Sequence, residues 1–176
     1  MITFEKQTNN MAEKKYILNK EEAAQKLHRM VLELAENLST DSEKIILIGI
    51  RNSGTVIAEK IGALLKNYVS NEIKVISIAL DKTHPTQVEL SEVIDFNNLH
   101  VLIADDVTNS GRTLLYALKP LLDFHPKSIQ TMVLVERMHK LFPVKPDYVG
   151  LSVATTLLEH IQVEVVNGEV MGAYVG

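Results

Sequence analysis

The stretch VLIADDVTNSGRT (residues 101–113) decides the fold class of this chain, because an apolar run changes there to charge and then to small polar residues. The letters VLIA are typical of a strand that is buried on both faces. Asp105 and Asp106 follow at once, and a helical pattern begins near Arg112. The stretch therefore predicts a strand, a loop suited to an anion and a helix in direct succession.

Strands and helices alternate on both sides of this stretch. A first helix is predicted at 20–38, where Asn19 and Glu22 resemble a capping box. Further helices are predicted after residue 51 and at about 112–122, and strands at 44–50, 73–80, 128–136, 148–154, 161–166 and 169–175. An Asn-Gly pair between the last two strands indicates a hairpin. This alternation predicts a single α/β domain with a doubly wound, mostly parallel sheet and helices on both faces.

The composition is that of a globular domain and narrows the function classes. The chain has 176 residues, 46% of them hydrophobic, and a net charge of −4. The lack of cysteine excludes disulfides and thiolate chemistry. No apolar run approaches the roughly 18 residues of a membrane span, and no secretory signal is visible. We therefore expect a cytoplasmic protein without membrane association. With 18 basic and 22 acidic residues, a mainly nucleic-acid-binding role is disfavoured.

The small polar residues after the acids have the properties of a phosphate site. The candidate ligands are the backbone N–H groups and hydroxyls of Asn109, Ser110, Gly111, Arg112 and Thr113. A helix N-terminus favours an anion, and glycine permits close approach or a positive φ. The alternative is an ordinary loop that caps a helix, since Asp, Thr, Asn and Ser are also capping residues.

The two acids require a ligand with more than a phosphate. Carboxylates would repel a phosphate, but they accept hydrogen bonds from sugar hydroxyls and from water on Mg²⁺. Arg51 lies in a second small polar loop, 51–55, which also follows a predicted strand. Because ligands of open parallel sheets bind beyond the carboxyl ends of the strands, Arg51 is expected to hold a second anionic group. The arrangement predicts a ligand made of phosphate, ribose and pyrophosphate.

Other phosphate and metal motifs fit less well. Gly49 and Gly54 have the spacing of a Walker loop, but Thr55 and Val56 stand where Lys and Ser/Thr are needed. The six histidines show no metal-ligand spacing.

Three segments together carry a family resemblance. Residues 101–113 resemble the phosphoribosyl-diphosphate (PRPP) signature of the type I phosphoribosyltransferases. ILIGIRNSG (46–54) resembles the pyrophosphate loop of that family, and LVERMHKLFPVKPDYVG (134–150) is similar to the segment that flanks the nucleobase. Within the family the chain looks most like the bifunctional pyrimidine-operon attenuator and uracil phosphoribosyltransferase proteins, from about Tyr16 to the C-terminus.

The resemblance implies transfer of the phosphoribosyl group from PRPP to a nucleobase, with uracil as the best guess and pyrophosphate as the second product. It implies that Asp105 and Asp106 are catalytic, holding the ribose hydroxyls and favouring positive charge at C1. Mg²⁺ would come with PRPP near these acids, without direct protein ligands of its own. Residues 109–113 would bind the 5′-phosphate, and Arg51 and Asn52 the pyrophosphate.

The resemblance also divides the chain and suggests a base site. It implies a polar tail at 1–15, a phosphoribosyltransferase domain at 16–176, and within it a flexible hood loop at 81–98 that excludes water. Lys145, Tyr148 and Val149 are the nucleobase candidates. For Lys145 the alternative is a solvated loop lysine, and for the other two it is packing.

Departures from the family pattern keep other functions open. Asn109 stands where purine-specific relatives carry a proposed general base, and Asn cannot accept a proton. The hood is short and has no arginine, with Lys82 as the nearest basic substitute. The weaker alternatives are an RNA-binding attenuator of pyrimidine metabolism and a nucleotide sensor with little or no catalysis. The resemblance also implies a homodimer or a higher homo-oligomer.

Overall fold

The computed structural model describes residues 14–38, 42–81, 84–154, 156 and 159–176. In chain order its elements are β1 (Lys15–Leu18), α1 (Lys20–Leu38), β2 (Ile45–Ile50), α2 (Arg51–Leu65), β3 (Ile73–Leu80), β4 (Val88–Leu90), β5 (His100–Thr108), α3 (Arg112–Ala117), a 3₁₀ turn (Lys119–Leu121), β6 (Ser128–Arg137), β7 (Tyr148–Val153), β8 (Ile161–Val166) and β9 (Glu169–Val175). Most of the predicted tail, and residues 82 and 83 of the predicted hood, lie outside the described residues. None of the described helices is long and apolar enough to cross a membrane.

The main sheet has six strands in the order β4-β3-β2-β5-β6-β7. Five of them are parallel, and only the edge strand β4 runs antiparallel to its neighbour β3. Strand order reverses between β2 and β5, so the chain leaves these neighbours in opposite directions across the sheet. A crevice opens at such a point, beyond the carboxyl ends of the two strands. The predicted fold class is confirmed.

Alternating side chains of β2 feed two cores, one on each face of the sheet. Ile45 and Leu47 join the core that α1 and α2 cover, while Ile46, Ile48 and Ile50 join the core under α3. All five are at most 1% exposed. A strand buried on both faces needs apolar residues at every position, which explains the unbroken apolar run in the sequence.

Helix α1 matches its predicted bounds and is capped as predicted. The Glu22 amide donates to Asn19 Oδ1 at 2.9 Å, and the Asn19 amide donates to Glu22 Oε2 at 2.8 Å. These reciprocal bonds satisfy two amides that have no partner within a helix. Helix α3 is shorter than predicted, because Pro120 has no N–H to continue the ladder and its ring crowds the preceding turn. The chain continues there as the 3₁₀ turn.

A second, three-stranded antiparallel sheet has the order β1-β9-β8 and packs beside α1. The Asn167–Gly168 turn joins β8 to β9, and both residues have positive φ (50° and 75°), as a tight hairpin turn requires. The hairpin prediction is confirmed. Strand β1 was not predicted. Its residue Lys15 pairs with Val175, so the ordered domain includes the last residue of the expected 1–15 tail.

The predicted hood is anchored at both ends. Within 81–98, strand β4 pairs antiparallel with β3, with Leu80 opposite Val88. Phe96 is fully buried and makes an edge contact with Phe124, with ring centroids 5.4 Å apart. The flexibility of the hood stays a prediction.

Candidate active site

The acidic pair lies inside strand β5 and not after it. Pairing with β6 extends β5 to Thr108, which lies opposite Glu136. Asp105 is 1% exposed, and Asp106 is half-buried. Each carboxylate accepts the amide that follows it in the chain: Asp106 N donates to Asp105 Oδ1 at 2.9 Å, and Val107 N donates to Asp106 Oδ1 at 2.8 Å. These bonds orient both acids at the carboxyl edge of the sheet.

Gly54 brings the second polar segment against the acids. A Cβ at Gly54 would lie 2.8 Å from the Ala104 carbonyl oxygen and 3.3 Å from Asp105 Cα. Only a residue without a side chain allows α2 to approach β5 so closely. The first turn of α2 and the acids of β5 therefore share one crevice, as expected from the strand ends.

The connection after the acids, residues 109–111, is a loop shaped by Gly111. This glycine has φ 82° and precedes the first residue of α3. A Cβ there would lie 2.8 Å from the Val144 carbonyl oxygen, so the position excludes other residues on two grounds. A cavity of about 290 Å³ opens over this connection and the start of α3. Its lining includes every residue predicted to bind the 5′-phosphate: Asn109, Ser110, Gly111, Arg112 and Thr113.

The outer side of this loop is braced by the segment after β6. The amides of Leu141 and Phe142 both donate to the Ser110 carbonyl oxygen at 3.0 Å. The Arg112 guanidinium lies 5.1 Å from the centroid of the Phe142 ring, within range of a cation–π contact. The segment expected to flank the nucleobase is thus attached to the expected phosphate loop.

The Arg51–Thr55 segment, predicted as a loop, forms the first helical turn of α2. The helix follows Ile50 directly and no side chain caps it, so its first amides are available to a ligand. A Cβ at Gly49 would lie 2.3 Å from Thr55 Cα, which explains how the chain turns from strand to helix without a loop. The turn forces Arg51 to φ 54°, a left-handed conformation that non-glycine residues rarely adopt.

The two residues expected at pyrophosphate lie together. Arg51 and Asn52 line a cavity of about 550 Å³ beside the end of β3. Arg51 also borders a cavity of about 560 Å³ whose other walls include Asp81 and His84 of the hood. The Arg51 guanidinium donates to the Leu80 carbonyl oxygen, which holds it at the end of β3.

The three nucleobase candidates are not brought together. Tyr148 is 4% exposed, and its hydroxyl accepts a hydrogen bond of 2.7 Å from Asn37 Nδ2 of α1. The Val149 carbonyl oxygen accepts a hydrogen bond of 2.6 Å from Arg29 Nη2. Lys145 is exposed and borders none of the three cavities above. The Tyr148 side chain therefore packs in the core, and Lys145 is solvated.

Three residues at the site were missed in the sequence. Arg137, the last residue of β6, is 5% exposed and lines the 290 Å³ cavity together with His160. Its neighbour Glu136 accepts a hydrogen bond of 3.0 Å from the Ser152 hydroxyl at the end of β7. The carboxyl-end rule applies to β6 as it does to β5, so the position of Glu136 and Arg137 at a strand end was an available signal.

The donor set suits a metal ion carried by a ligand better than a resident ion. Among the described residues, no group of three or more His, Cys, Asp or Glu side chains is arranged to hold a metal. Asp105 and Asp106 are adjacent hard oxygen donors, and Mg²⁺ is commonly held by one or two carboxylates together with substrate phosphates. The residues present therefore fit Mg²⁺ that arrives with a phosphorylated ligand.

An open α/β sheet with an anion loop and paired acids at its switch point defines a class of nucleotide- or phosphosugar-binding protein. Within that class, residues 14–167 match the family described as "Phosphoribosyl transferase domain", and the chain belongs to this family. Phosphoribosyl transfer from PRPP is the general activity that membership supports.

Relatives and solved structures agree with this membership. The chain is 32% identical over 171 residues to the "Bifunctional protein PyrR" of Clostridioides difficile, covering 90% of this chain and 96% of the relative. It is 32% identical over 151 residues to the protein of that name from Ligilactobacillus salivarius, covering 79% and 84%. The fold is similar to that of the hypoxanthine phosphoribosyltransferase of Trypanosoma cruzi (TM-score 0.77, 16% identity, 92% and 95% covered). It is also similar to that of a hypoxanthine-guanine phosphoribosyltransferase from Bacillus anthracis (TM-score 0.67, 18% identity, 84% of each chain).

Proposed function

We propose that the protein transfers the 5-phosphoribosyl group of PRPP to a nucleobase, with uracil as the first candidate, and releases pyrophosphate. One observation carries the proposal: Asp105 and Asp106 lie near the end of β5 between two separate groups of backbone amides, because Gly54 of α2 packs on Asp105 and the 109–113 connection follows the acids in the chain. The first group is the 109–113 connection, and the second is the uncapped N-terminus of α2. A ligand with an anion at each end and hydroxyls between them matches this order.

The 5′-phosphate binds in the 290 Å³ cavity. The backbone amides from Asn109 to Thr113 and the hydroxyls of Ser110 and Thr113 are its donors. Amides held in a fixed loop lose little entropy when the ligand arrives, so this end of PRPP is oriented before reaction.

The acids act on the ribose. Asp105 and Asp106 accept hydrogen bonds from its hydroxyls, and their charge favours the positive charge that develops at C1 as pyrophosphate leaves. Because hydrogen bonds to the chain's own amides fix both carboxylates, their field is oriented before the transition state forms. Mg²⁺ would arrive with PRPP and lie near these carboxylates without direct protein ligands, and it would supply positive charge to the leaving group.

Arg51 and Asn52 bind the leaving pyrophosphate. The Arg51 guanidinium donates charge-assisted hydrogen bonds. The first amides of α2 donate at the positive end of the helix dipole. As pyrophosphate leaves, negative charge builds up on it. Stabilising that charge lowers the barrier to breaking its bond to C1. The left-handed φ of Arg51 strains the backbone, and such strain is commonly found at binding and catalytic sites.

The hood limits competing hydrolysis. Asp81, His84 and Thr86 of the hood border the Arg51 cavity. Lys119 Nζ donates to the Thr86 carbonyl oxygen at 3.2 Å, which ties the hood to the 3₁₀ turn. Excluding water protects PRPP from hydrolysis while the base nitrogen attacks C1. Asn109 cannot act as a general base, so the base nitrogen must lose its proton by another route.

The base binds beside the 141–149 segment that braces the phosphate loop. Lys145, exposed on this segment, is the candidate to reach an exocyclic oxygen of the base, while Tyr148 packs in the core and the Val149 carbonyl oxygen is already bonded to Arg29. Uracil is the first candidate because the sequence resembles the pyrimidine-operon attenuator and uracil phosphoribosyltransferase proteins, and because the chain is 32% identical to relatives named "Bifunctional protein PyrR". We also propose a cytoplasmic location. We further propose a homodimer or larger assembly, and size-exclusion chromatography with light scattering tests this oligomeric state.

Pyrophosphate release from PRPP tests the proposal. The assay uses the full chain with Mg²⁺ and a panel of uracil, cytosine, hypoxanthine, guanine and adenine, with PRPP binding measured in parallel by calorimetry. We expect release with uracil above the rate without base, and none when Mg²⁺ is chelated. If PRPP binds and no base is consumed, the transferase proposal is overturned.

RNA binding is the second candidate function, since the relatives above are named bifunctional. An attenuator would bind structured RNA through phosphate contacts, with an affinity that falls steeply as salt is raised. The net charge of −4 makes this weaker than the transferase proposal. Filter binding of a structured RNA at about 50 and 200 mM salt decides it, with salt-insensitive or undetectable binding as the contrary outcome.

A further inference from the structure

Arg137 is a buried cation at the carboxyl end of β6. It is 5% exposed, and an arginine keeps its charge under all physiological conditions. Removing a guanidinium from water costs free energy unless acceptors replace the water. One acceptor is the Thr156 carbonyl oxygen, 3.0 Å from Nη2. A guanidinium has five N–H donors in a planar fork, a geometry that can serve several acceptors at once.

The cavity that Arg137 borders is suited to an anion on every side. The residues that line it are Val107, Thr108, Asn109, Ser110, Gly111, Arg112, Thr113, Arg137, His160 and Ile161, and none of them is acidic. Two arginines and a histidine therefore meet the amides of the phosphate loop in one volume of about 290 Å³. Of the two arginines, Arg112 is half-buried and lies over the Phe142 ring, while Arg137 is almost wholly enclosed.

Thr156, which accepts the Arg137 hydrogen bond, is itself hydrogen-bonded to Glu159. The amide and hydroxyl of Thr156 donate to Glu159 Oε2 at 2.8 and 3.0 Å. These bonds lower the pKa of Glu159 from its ordinary value, and the nearby charges of Lys15 and Arg137 lower it further. His160 pairs through its backbone with Gly176, at 3.2 and 2.8 Å. Thr156 is thus bonded to Glu159, and the next residue, His160, is bonded to the chain just beyond β9.

We propose that Arg137 supplies a fixed positive charge to the terminal phosphate of the phosphoribosyl ligand, from the wall opposite the 109–113 loop. This inference rests on the proposed function and adds to it a binding residue that lies outside the signature stretch. A phosphomonoester is the ligand class, because the cavity is small and none of its lining residues is acidic.

Calorimetry with two probes tests the assignment. Ribose 5-phosphate is expected to bind in the 290 Å³ cavity, and inorganic pyrophosphate in the cavity that Arg51 and Asn52 line. Arg137→Gln keeps a donor for Thr156 but removes the charge, and we expect it to weaken ribose 5-phosphate binding about tenfold or more, the usual size of a charge-assisted hydrogen bond. Pyrophosphate affinity should change less than about twofold, and Arg137→Lys should fall between wild type and Arg137→Gln.

Lys44→Gln is the matched control, since Lys44 pairs with Glu72 next to the amino end of β2 and its loss removes the same charge elsewhere. Equal ribose 5-phosphate affinities in wild type and Arg137→Gln would overturn the inference alone, and so would equal losses for both probes. Failure of wild type to bind either PRPP or ribose 5-phosphate would instead overturn the proposed function.

If Arg137→Gln does not fold, an NMR titration of the wild-type protein tests the inference. The Nε–H resonance of Arg137, assigned with Arg137→Lys, should shift on addition of ribose 5-phosphate and stay in place on addition of ribose. A resonance that ignores the phosphate overturns the inference.

Discussion

Two strand-to-helix connections meet at the crevice, and they are built in opposite ways. Between β5 and α3 the chain forms the loop 109–111, with Gly111 in the left-handed conformation, and the helix that follows has 6 residues. Between β2 and α2 no residue intervenes, Arg51 takes the left-handed conformation, and the helix has 15 residues. One connection is a shaped loop on a short helix, and the other is a long helix that begins abruptly.

The difference shows two physical ways to hold an anion at one crevice. The six-residue α3 has a weak dipole, so the phosphate site that we propose there depends on loop amides and on cations from other elements, with Arg137 as our candidate. The 15-residue α2 offers uncapped amides at the end of a full dipole, aided by its own Arg51. Substitutions in the two connections should therefore fail differently, and the four that follow run from the largest expected effect to the smallest.

Asp106→Asn tests the acid at the loop connection. We expect the turnover number to fall about 100-fold to 1,000-fold, as when one preorganised electrostatic group is lost, while the melting temperature changes little. Initial rates of pyrophosphate release with uracil measure the effect. Asp123→Asn removes an exposed carboxylate beyond the 3₁₀ turn and should leave the rate unchanged. Wild-type turnover in Asp106→Asn would contradict the ribose role.

Gly49→Ala tests the abrupt connection. The added methyl would lie 2.3 Å from Thr55 Cα, so β2 and α2 must separate, and we expect a loss of about 3 kcal/mol in the free energy of unfolding. Gly168→Ala is the control, because a Cβ there meets nothing within 4 Å and only its φ of 75° is unfavourable. That should cost about 1 kcal/mol. Urea denaturation of both variants measures the difference, and equal losses would refute the packing account.

Arg51→Gln separates the two anion sites. We expect pyrophosphate affinity to fall about tenfold, since a charge-assisted hydrogen bond is lost, with ribose 5-phosphate affinity nearly unchanged. This is the reverse of the pattern expected for Arg137→Gln, so calorimetry on the two variants forms one matched experiment. Parallel losses for both probes in both variants would show a single undivided site.

Ser110→Ala should have the smallest effect. It removes one hydroxyl donor from the phosphate loop but keeps the Ser110 carbonyl oxygen that Leu141 and Phe142 bind. We expect ribose 5-phosphate affinity to fall about fivefold, the usual net value of one hydrogen bond. Ser70→Ala, at an exposed position between α2 and β3, serves as the control. A loss as large as that in Arg137→Gln would mean that hydroxyls, and not fixed charge, dominate this site.

The sequence predicted the elements whose signals are local. Helix α1 matches because its cap and its apolar spacing lie within one segment, and β3 matches because it is a β-branched run between polar ends. The segment 109–113 stood out as a candidate phosphate loop because its residue types are those that suit an anion, and its role stays a prediction. The short β1 was missed because its four residues are stabilised only by pairing with β9.

The rest depended on contacts between distant segments. Strand β5 continues through Asp105 and Asp106 because β6 pairs with it, which the charges alone do not suggest. Arg51 starts a helix and not a loop because Gly49 and Gly54 allow α2 to pack closely on the strands. Arg137 was missed because a single arginine after a strand has no motif, and its burial depends on Thr156 in another part of the chain.

The hydrogen bonds from Leu141 and Phe142 to the Ser110 carbonyl oxygen have a consequence for protein engineering. The nine residues from Asp105 to Thr113 cannot be transferred to another protein by themselves. Their loop depends on hydrogen bonds from a segment about 30 residues downstream in the chain. Grafted alone onto another sheet, they would keep the signature sequence but lose the hydrogen bonds that shape the loop. A transplant that retains the geometry must bring the 141–144 segment with it.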